Sequence, residues 1–295
     1  MKTTFILAIV SLVWLVHRRV FSAWRSLQAP VPTESLVTNG QTTTINGLSI
    51  HFREVGSGDP IVLTRWPFGS TSGWSALADE LSKNYRVISV DLPGVGLSAK
   101  PIGVSYTPKM QGQHLASFIE TMCPEGAQLV GGGMAWSACQ EAAQYRPDHV
   151  LSLLAISPTL IPADFAKGTA FMERIISIIT QSQIASKHLL FAGQLPSGPS
   201  TDATLRSWQS EIKTPGAQPA LASMLLELSN HIQPSQVTLP SSTIIIGSRD
   251  KILANDELFR TLSIGDVHLL PHCAHFPEIE DPIQVAKLIS ATRYL

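Results

Sequence analysis

Three consecutive glycines stand where a strand turns sharply into a helix. The segment LVGGGMAWSACQEAAQYRP, from Leu129 to Pro147, has a short apolar run, a turn and a helical pattern that ends before the proline. A residue at the tip of such a turn stands above the sheet, where a hydroxyl or thiol can attack a substrate. Gly133 takes this tip and has no side chain. Whether the chain is an enzyme therefore depends on one missing group.

From Gln41 onward, short apolar strands alternate with helices. Asn46-Gly47, between two alternating segments, predicts a β-hairpin. Asp91 closes a strand before Pro93-Gly94 and is interpreted as a turn former. Buried strands separated by helices predict an α/β fold with a mostly parallel sheet, helices on both faces and an antiparallel edge. The further predicted strands are 61–64, 86–90, 127–131, 150–157, 243–247 and 267–270, and the predicted helices are 73–83, 108–122, 134–145 and 281–292.

The alternation is interrupted between residues 158 and 236. This stretch is helical in character and is broken by the turn-forming residues PSGPSTD. We interpret 158–236 as a helical cap inserted into an α/β core made of 41–157 and 237–295. Such a cap would lie over the carboxyl ends of the strands, where open α/β sheets bind ligands.

Five motifs, in order along the chain, resemble those of the α/β-hydrolase family from about Leu48 to Leu295. They are IVLTRWPFGSTSGW, VDLPGVGLSAKP, LVGGGMA, IIIGSRDKIL and LPHCAHFPEIEDP. The resemblance implies an eight-stranded, mostly parallel sheet with a helical cap. It also implies a site in which a nucleophile on a strained turn works with a histidine, a carboxylate and two backbone N–H donors.

Carried over position by position, the resemblance assigns His275 as the base and Asp250 as the carboxylate that orients it. It assigns the backbone N–H groups of Trp66 and Met134 as the donors that stabilise an oxyanion.

Two positions depart from the family pattern. The elbow pattern G-x-S-x-G is here Gly131 to Ala135, with Gly133 at the nucleophile position, and Pro147 ends the next helix where this register expects it. The His-Gly pair of the early loop reads Thr64-Arg65. A nucleophile position requires a sparsely populated backbone conformation, which glycine adopts without the usual cost of about 1–3 kcal/mol.

Other reactive side chains near the turn offer alternatives. Ser137 is the centre of a second small-x-nucleophile-x-small pattern, but it would lie one turn inside the helix. Cys139 on the same helix is interpreted as a small packing residue. Three acidic residues are interpreted as serving the N-terminal dipole of the last helix, namely Glu278, Glu280 and Asp281.

The candidate ligand contacts are apolar. Three aromatic residues are expected at the mouth of a pocket, namely Trp66, Phe68 and Trp136. A second group from the cap is expected to line it, namely Phe171, Met172, Leu189, Leu190 and Phe191. The three cysteines, Cys123, Cys139 and Cys273, have no metal-ligand spacing and are expected to be free thiols. No cofactor and no metal are expected.

The N-terminus differs from the rest of the chain in composition. FILAIVSLVWLV (5–16) is almost wholly apolar and is followed by Arg18, Arg19 and Arg25. We expect residues 1–27 to anchor the protein to a membrane with the domain on the cytoplasmic side, because positive charge follows the apolar run. A cleaved signal leading to a secreted or periplasmic protein, and a terminal helix docked on the domain, are the alternatives. Residues 28–40 are interpreted as the linker.

Composition excludes some functions. The chain has 295 residues with a net charge of −1, and no basic stripe supports nucleic-acid binding. The favoured hypothesis is a hydrolase-fold protein without a serine nucleophile that binds a small apolar molecule or a partner. The first alternative is a cofactor-free lyase, isomerase or oxygenase that uses the His275–Asp250 dyad. The second is an ester or amide hydrolase with a displaced nucleophile, Ser137.

Overall fold

A hairpin forms the antiparallel edge of the sheet. The computed structural model describes residues 40–66, 69–158, 199–231, 242–250 and 266–292. Strands β1 (Gln41–Ile45) and β2 (Leu48–Val55) pair antiparallel. The turn between them, Asn46-Gly47, has φ values of 49° and 80°. Positive φ at both positions is what a two-residue type I′ turn requires, so the predicted hairpin is confirmed.

Six parallel strands complete the sheet. They are β3 (Pro60–Trp66), β4 (Arg86–Val90), β5 (Ala127–Gly133), β6 (Val150–Ile156), β7 (Ser242–Gly247) and β8 (Asp266–Leu270). The order across the eight-stranded sheet is β1-β2-β4-β3-β5-β6-β7-β8. The chain winds outward on both sides of the β3–β5 pair, so these two strands flank the switch point where α/β sheets bind ligands. The predicted fold class is confirmed.

Helices cover the two faces of the sheet. Those described are α1 (Ser75–Leu81), α2 (Pro108–Met122), α3 (Ala135–Tyr145), α4 (Pro199–Glu211), α5 (Ala217–His231), α6 (Pro277–Glu280) and α7 (Pro282–Ala291). A 3₁₀ turn at Thr71–Trp74 precedes α1. Local sequence fixes the start of α2, because the Thr107 hydroxyl accepts from the Met110 N–H at 3.1 Å and Pro108 stands at the first helical position.

The sheet separates two apolar cores. On one face, Leu115 and Phe118 of α2 join Leu129 of β5. On the other, Leu77 of α1 and Ile289 of α7 pack in one cluster with residues of β3, β5, β6 and β7. Because both faces are covered, the central strands are buried along nearly their whole length.

Several predicted boundaries shift by a few residues. β3 and β5 both extend further at their carboxyl ends than the apolar runs indicate, and they stay paired as far as Trp66 and Gly133. The last helix begins at Pro282, after the separate short helix α6. Within the predicted cap, α4 and α5 are the described parts. The division into core and cap stays a prediction.

The predicted N-terminal anchor and linker lie outside the described residues, apart from Gly40. Among the helices of the described part of the chain, none has the length and apolar character needed to span a bilayer.

Candidate active site

The turn between β5 and α3 has a residue with a left-handed backbone at its tip. Gly133 has a φ of 60°, in the left-handed region. Met134 then begins the helix with a φ of −74° and a ψ of −16°. A side chain at residue 133 would have to tolerate this left-handed conformation, which glycine adopts freely. The turn therefore has the geometry of a nucleophile elbow, and glycine stands at its tip.

The two preceding glycines face opposite sides of the sheet, and neither side has room for a side chain. A Cβ atom on Gly131 would lie 2.7 Å from Sγ of Cys139, which belongs to α3. A Cβ atom on Gly132 would lie 2.8 Å from Nε of Arg65, on the other face. The glycine triplet is thus required by close neighbours as well as by the turn.

The two residues predicted to form the oxyanion hole come together, but they bond to each other. The Met134 N–H donates to the Trp66 carbonyl at 3.2 Å. This bond continues the ladder of β3 and β5 one step beyond the pair Trp66 and Gly133. An N–H that already has an acceptor is less available to stabilise an oxyanion.

The predicted base and its carboxylate form a buried hydrogen-bonded pair. Asp250 follows the carboxyl end of β7, and His275 stands in the loop between β8 and α6. Nδ1 of His275 lies 2.8 Å from Oδ2 of Asp250, and both residues are buried. A carboxylate acceptor favours the tautomer in which Nδ1 carries the proton and Nε2 carries the lone pair.

The surroundings of His275 keep its ring neutral. Burial lowers the pKa of His275, the hydrogen bond and charge of Asp250 oppose this, and the positive charge of Arg65 adds to the lowering. A neutral imidazole at neutral pH is a hydrogen-bond acceptor and a base.

Glu280 holds the loop that carries His275. Its carboxylate accepts from the Ala274 N–H at 2.9 Å and from the Phe276 N–H at 3.3 Å. Burial raises the pKa of Glu280, and these two N–H groups partly offset the rise. Asp281 caps α7 by accepting from the Gln284 N–H at 3.1 Å. The interpretation of all three acidic residues as serving the last helix is correct for Asp281 and wrong for Glu280.

Glu278 is also used differently from the prediction. Its Oε1 lies 2.6 Å from Nη2 of Arg65, and both side chains are almost fully buried. Burial raises the pKa of Glu278, and the charge of Arg65 opposes that rise. Glu278 is therefore an ion-pair partner of β3, and the interpretation that it serves the helix dipole is wrong.

A second buried histidine–carboxylate pair was not identified from the sequence. Nδ1 of His51 lies 2.8 Å from Oδ2 of Asp91. Asp91 also accepts from the Thr71 N–H at 2.8 Å and from the Leu97 N–H at 3.1 Å. Asp91 does hold the loop after β4, as expected of a turn former, but it also ties that loop to β2 and the 3₁₀ turn. The alternation in LSIHFREV places His51 on the face opposite Ile50 and Phe52, so the sequence pattern carried no signal of a buried partner for it.

Glu211, at the end of α4, lies next to this pair. Burial and the neighbouring carboxylate of Asp91 raise the pKa of Glu211 to about 7, while the hydroxyls of Ser70 and Ser207 oppose the rise. The Ser207 hydroxyl donates to Oε1 of Glu211 at 2.9 Å. Burial lowers the pKa of Lys100 to about 8, against the charges of Asp91 and Glu211.

The remaining candidates are distributed as follows. Trp66 and Trp136 are buried in the core cluster of α2 and α3, so their contact with a ligand stays a prediction. Ser137 is half-buried in the first turn of α3. Burial raises the pKa of the Cys139 thiol, which agrees with a packing role. Six predicted contacts lie outside the described residues: Phe68, Phe171, Met172, Leu189, Leu190 and Phe191.

The three cysteines are free thiols, as the sequence predicts. Cys123, Cys139 and Cys273 are free and buried. Within the described ranges, no group of three or more His, Cys, Asp or Glu side chains is placed to hold a metal ion.

The fold and the elbow define a known class of protein. The model of the alpha/beta hydrolase family matches residues 56–288, and the chain belongs to this family.

Curated relatives cover most of the chain at low identity. A 2-hydroxy-6-oxo-2,4-heptadienoate hydrolase of Pseudomonas putida is 21% identical over 268 residues, which cover 85% of this chain and 95% of that protein. A pimeloyl-acyl-carrier-protein methyl ester esterase of Nitrosomonas europaea is 26% identical over 263 residues, covering 82% of this chain and 99% of that one.

Solved structures agree with the fold. A serine hydrolase involved in carbazole degradation superposes with a TM-score of 0.70 at 20% identity, covering 85% of this chain and 97% of that chain. A bacterial membrane phospholipase A superposes with a TM-score of 0.66 at 23% identity, covering 99% of this chain and 97% of that chain.

Proposed function

We propose that this protein is a member of the hydrolase family that has lost covalent serine catalysis and binds a small apolar molecule instead of cleaving it. The observation that carries the proposal is Gly133, at a φ of 60° on the tip of the elbow. The relatives are named as hydrolases and esterases. Hydrolysis by this fold needs a nucleophile at the elbow and free donors for the oxyanion.

The donor side of the site supports the same conclusion. The Met134 N–H is bonded to the Trp66 carbonyl. Loss of a catalytic-triad nucleophile costs roughly 10⁶ in rate, and loss of one oxyanion donor costs roughly 10²–10³. The two changes together remove most of the catalysis that the family obtains from this site.

The proposal is tested with a fluorophosphonate probe, which labels activated serine hydroxyls, and with p-nitrophenyl butyrate as a general ester. We expect the protein to remain unlabelled and its esterase rate to equal that of His275→Ala. The matched control is Ser137→Ala. Labelling of the protein that disappears in Ser137→Ala would show a displaced nucleophile and would overturn the proposal.

The variant Gly133→Ser separates the two losses. It restores a hydroxyl at the elbow, while the Met134 N–H remains bonded to Trp66. We expect labelling that is slow compared with a serine esterase of the same fold measured alongside, because one donor remains engaged. Labelling as fast as in that esterase would show that the donors are available and that the nucleophile alone is missing.

A second function is favoured by the buried dyad. His275 and Asp250 keep a 2.8 Å contact, and a neutral imidazole can remove a proton without a nucleophile. The probe 5-nitrobenzisoxazole opens when a base removes its ring proton, so it reports such activity directly. Turnover that His275→Gln abolishes would favour a proton-abstracting enzyme over a binding protein.

A further inference from the structure

A buried arginine stands at the end of β3, directly beside the elbow. Arg65 is paired with Gly132 in the ladder of β3 and β5. It is 5% exposed, which is unusual for an arginine and requires compensation. In the sequence, this position is marked only by its departure from a His-Gly pair.

Two glycines create the space for this side chain. A Cβ atom on Gly132 would lie 2.8 Å from Nε of Arg65, and one on Gly69 would lie 2.6 Å from its Cδ. Real Cβ atoms essentially never make contacts this short, so glycine at both positions gives the arginine side chain its room. The guanidinium group thus fills a volume that a side chain at residue 132 would otherwise take.

The charge of Arg65 is compensated from one side. Nη2 lies 2.6 Å from Oε1 of Glu278. Nε of Arg65 and Oε2 of Glu278 have no hydrogen-bond partner among the described residues. A bidentate pair would use both edges of the groups, whereas here the ion pair is made through one nitrogen and one oxygen. The charge of Arg65 also acts on His275.

Arg65 also contacts the ring of Phe276, the residue that directly precedes α6. The guanidinium carbon of Arg65 lies 4.7 Å from the centre of the Phe276 ring. The rings of Phe276 and His275 meet edge to face, with centres 5.0 Å apart and an angle of 89°. The Phe276 ring therefore contacts both the arginine and the imidazole.

We propose that Arg65 is a positioning residue for His275. It holds the His275 loop against the ends of β3 and β5 through Glu278 and Phe276, and its charge opposes protonation of the imidazole. The charged groups around His275 are Asp250, which favours the protonated ring, and Arg65, which disfavours it. Glu280 faces the backbone of the same loop. Arg65 has this role whether the dyad binds a ligand or turns over a substrate.

The test compares two variants that break the same ion pair. Arg65→Met removes the positive charge and keeps an unbranched stem, whereas Glu278→Gln removes the negative charge. The His275 titration is followed by NMR on ring-labelled protein, and the resonance is assigned by its absence in His275→Gln. We expect Arg65→Met to raise the pKa of His275 and Glu278→Gln to leave it unchanged or lower it.

A packing role alone predicts a different result. If Arg65 acts only by holding the loop, both variants loosen the same contact and move the titration in the same direction. That result, or no shift in Arg65→Met, would overturn the proposal. Arg86→Met is the control, because it breaks the partly buried pair with Glu54 on the far side of the sheet.

A second comparison keeps the test decisive if Arg65→Met fails to fold. Arg65→Met leaves Glu278 buried without its partner, which destabilises proteins strongly. The double variant Arg65→Met/Glu278→Gln contains neither charge, so it is compared with Glu278→Gln alone. A higher pKa of His275 in the double variant supports the proposal, and equal values contradict it.

Discussion

The three glycines of the elbow are each required by a different constraint. Gly131 faces Cys139 of α3, Gly132 faces Arg65 of β3, and Gly133 has a left-handed backbone. A run of glycine is usually taken as a flexible turn. Here all three belong to the paired strand β5, and the small size of Gly131 and Gly132 decides which neighbours can approach.

We expect Gly131→Ala to destabilise the protein by about 1–3 kcal/mol, because the added methyl overlaps Sγ of Cys139. Cys139→Ala should recover part of this loss in the double variant, since the backbone of Trp136 at 3.1 Å still restricts the methyl. Urea denaturation of the four proteins gives the coupling free energy. Gly73→Ala is the control, since its added Cβ would make only an ordinary 3.7 Å contact with Thr204. Strict additivity of the two changes would contradict the overlap.

The residues of the candidate site differ in how far sequence could locate them. The motifs named His275, Asp250 and Gly133, because each follows a strand at a family-specific place. They did not predict the bond from Met134 to Trp66, because backbone pairing beyond an apolar run leaves no mark in side-chain type. The pair of Arg65 and Glu278 was also missed. Partners so distant in sequence are identified only by the fold that brings them together.

At the scale of elements, α4 connects two parts of the site region. Leu205 and Trp208 pack against Phe276, next to His275. One turn further, Glu211 lies against Asp91 and Ser70. α4 therefore contacts both the loop that carries His275 and the pair of His51 and Asp91. A change in the docking of α4 would therefore move Phe276 and, through it, His275.

We expect the docking of α4 to weaken as the pH rises. The carboxyl of Glu211 has its pKa raised to about 7, so the folded protein holds a proton there that an exposed carboxyl, with a reference value of 4.5, would lose. The stabilisation is complete below the ordinary carboxyl range and is lost as the pH rises through about 7. Hydrogen exchange of the α4 amides should accordingly be better protected at pH 5.5 than at pH 8, after correction for the intrinsic rate.

Glu211→Gln is the matching variant, because its amide cannot lose a proton and keeps nearly the same shape. Its α4 protection should be independent of pH over this range. Lys100, whose pKa is lowered to about 8, remains mostly charged through most of the window. Glu120→Gln, at an exposed ion pair on α2, controls for general effects. A pH dependence that persists in Glu211→Gln would assign it to other groups.

Sequence predicted the elements better than their ends. Every strand of the described sheet was anticipated, because the hairpin turn and the apolar runs carry strong local signals. The range of α2 matched, since Thr107 and Pro108 mark its start. β3 and β5 were predicted too short, because Arg65 and the glycines lack strand character in isolation. Their extension depends on each strand pairing with the other.

At the scale of the whole molecule, the sheet separates two apolar cores. Leu115 is buried in one cluster with α2 and α3, and Ile289 in the other with α1 and α7. Neither cluster alone encloses the sheet, so the strands depend on both. This arrangement predicts that damage to either core weakens a single cooperative unit.

We expect Leu115→Ala to cost about 2–5 kcal/mol and Ile289→Val about 0.5–1.5 kcal/mol, because both side chains are fully buried. The two losses should add within about 0.5 kcal/mol in the double variant, since the residues share no contacts across the sheet. Urea unfolding followed by both tryptophan fluorescence and far-ultraviolet circular dichroism measures this. Two separate transitions would contradict a single unit.

The shared volume of Arg65 and Gly132 also shapes how new activities can be selected from this scaffold. A library that randomises residue 132 alone produces members whose side chains overlap the guanidinium, so most are lost to misfolding before any screen. Randomising residue 65 alone leaves Glu278 buried without a counter-charge. Sequences that fold would combine a small residue at 65 with a larger one at 132 and a neutral residue at 278. Selection through single substitutions would therefore pass through unstable variants, which a library that varies the three positions together avoids.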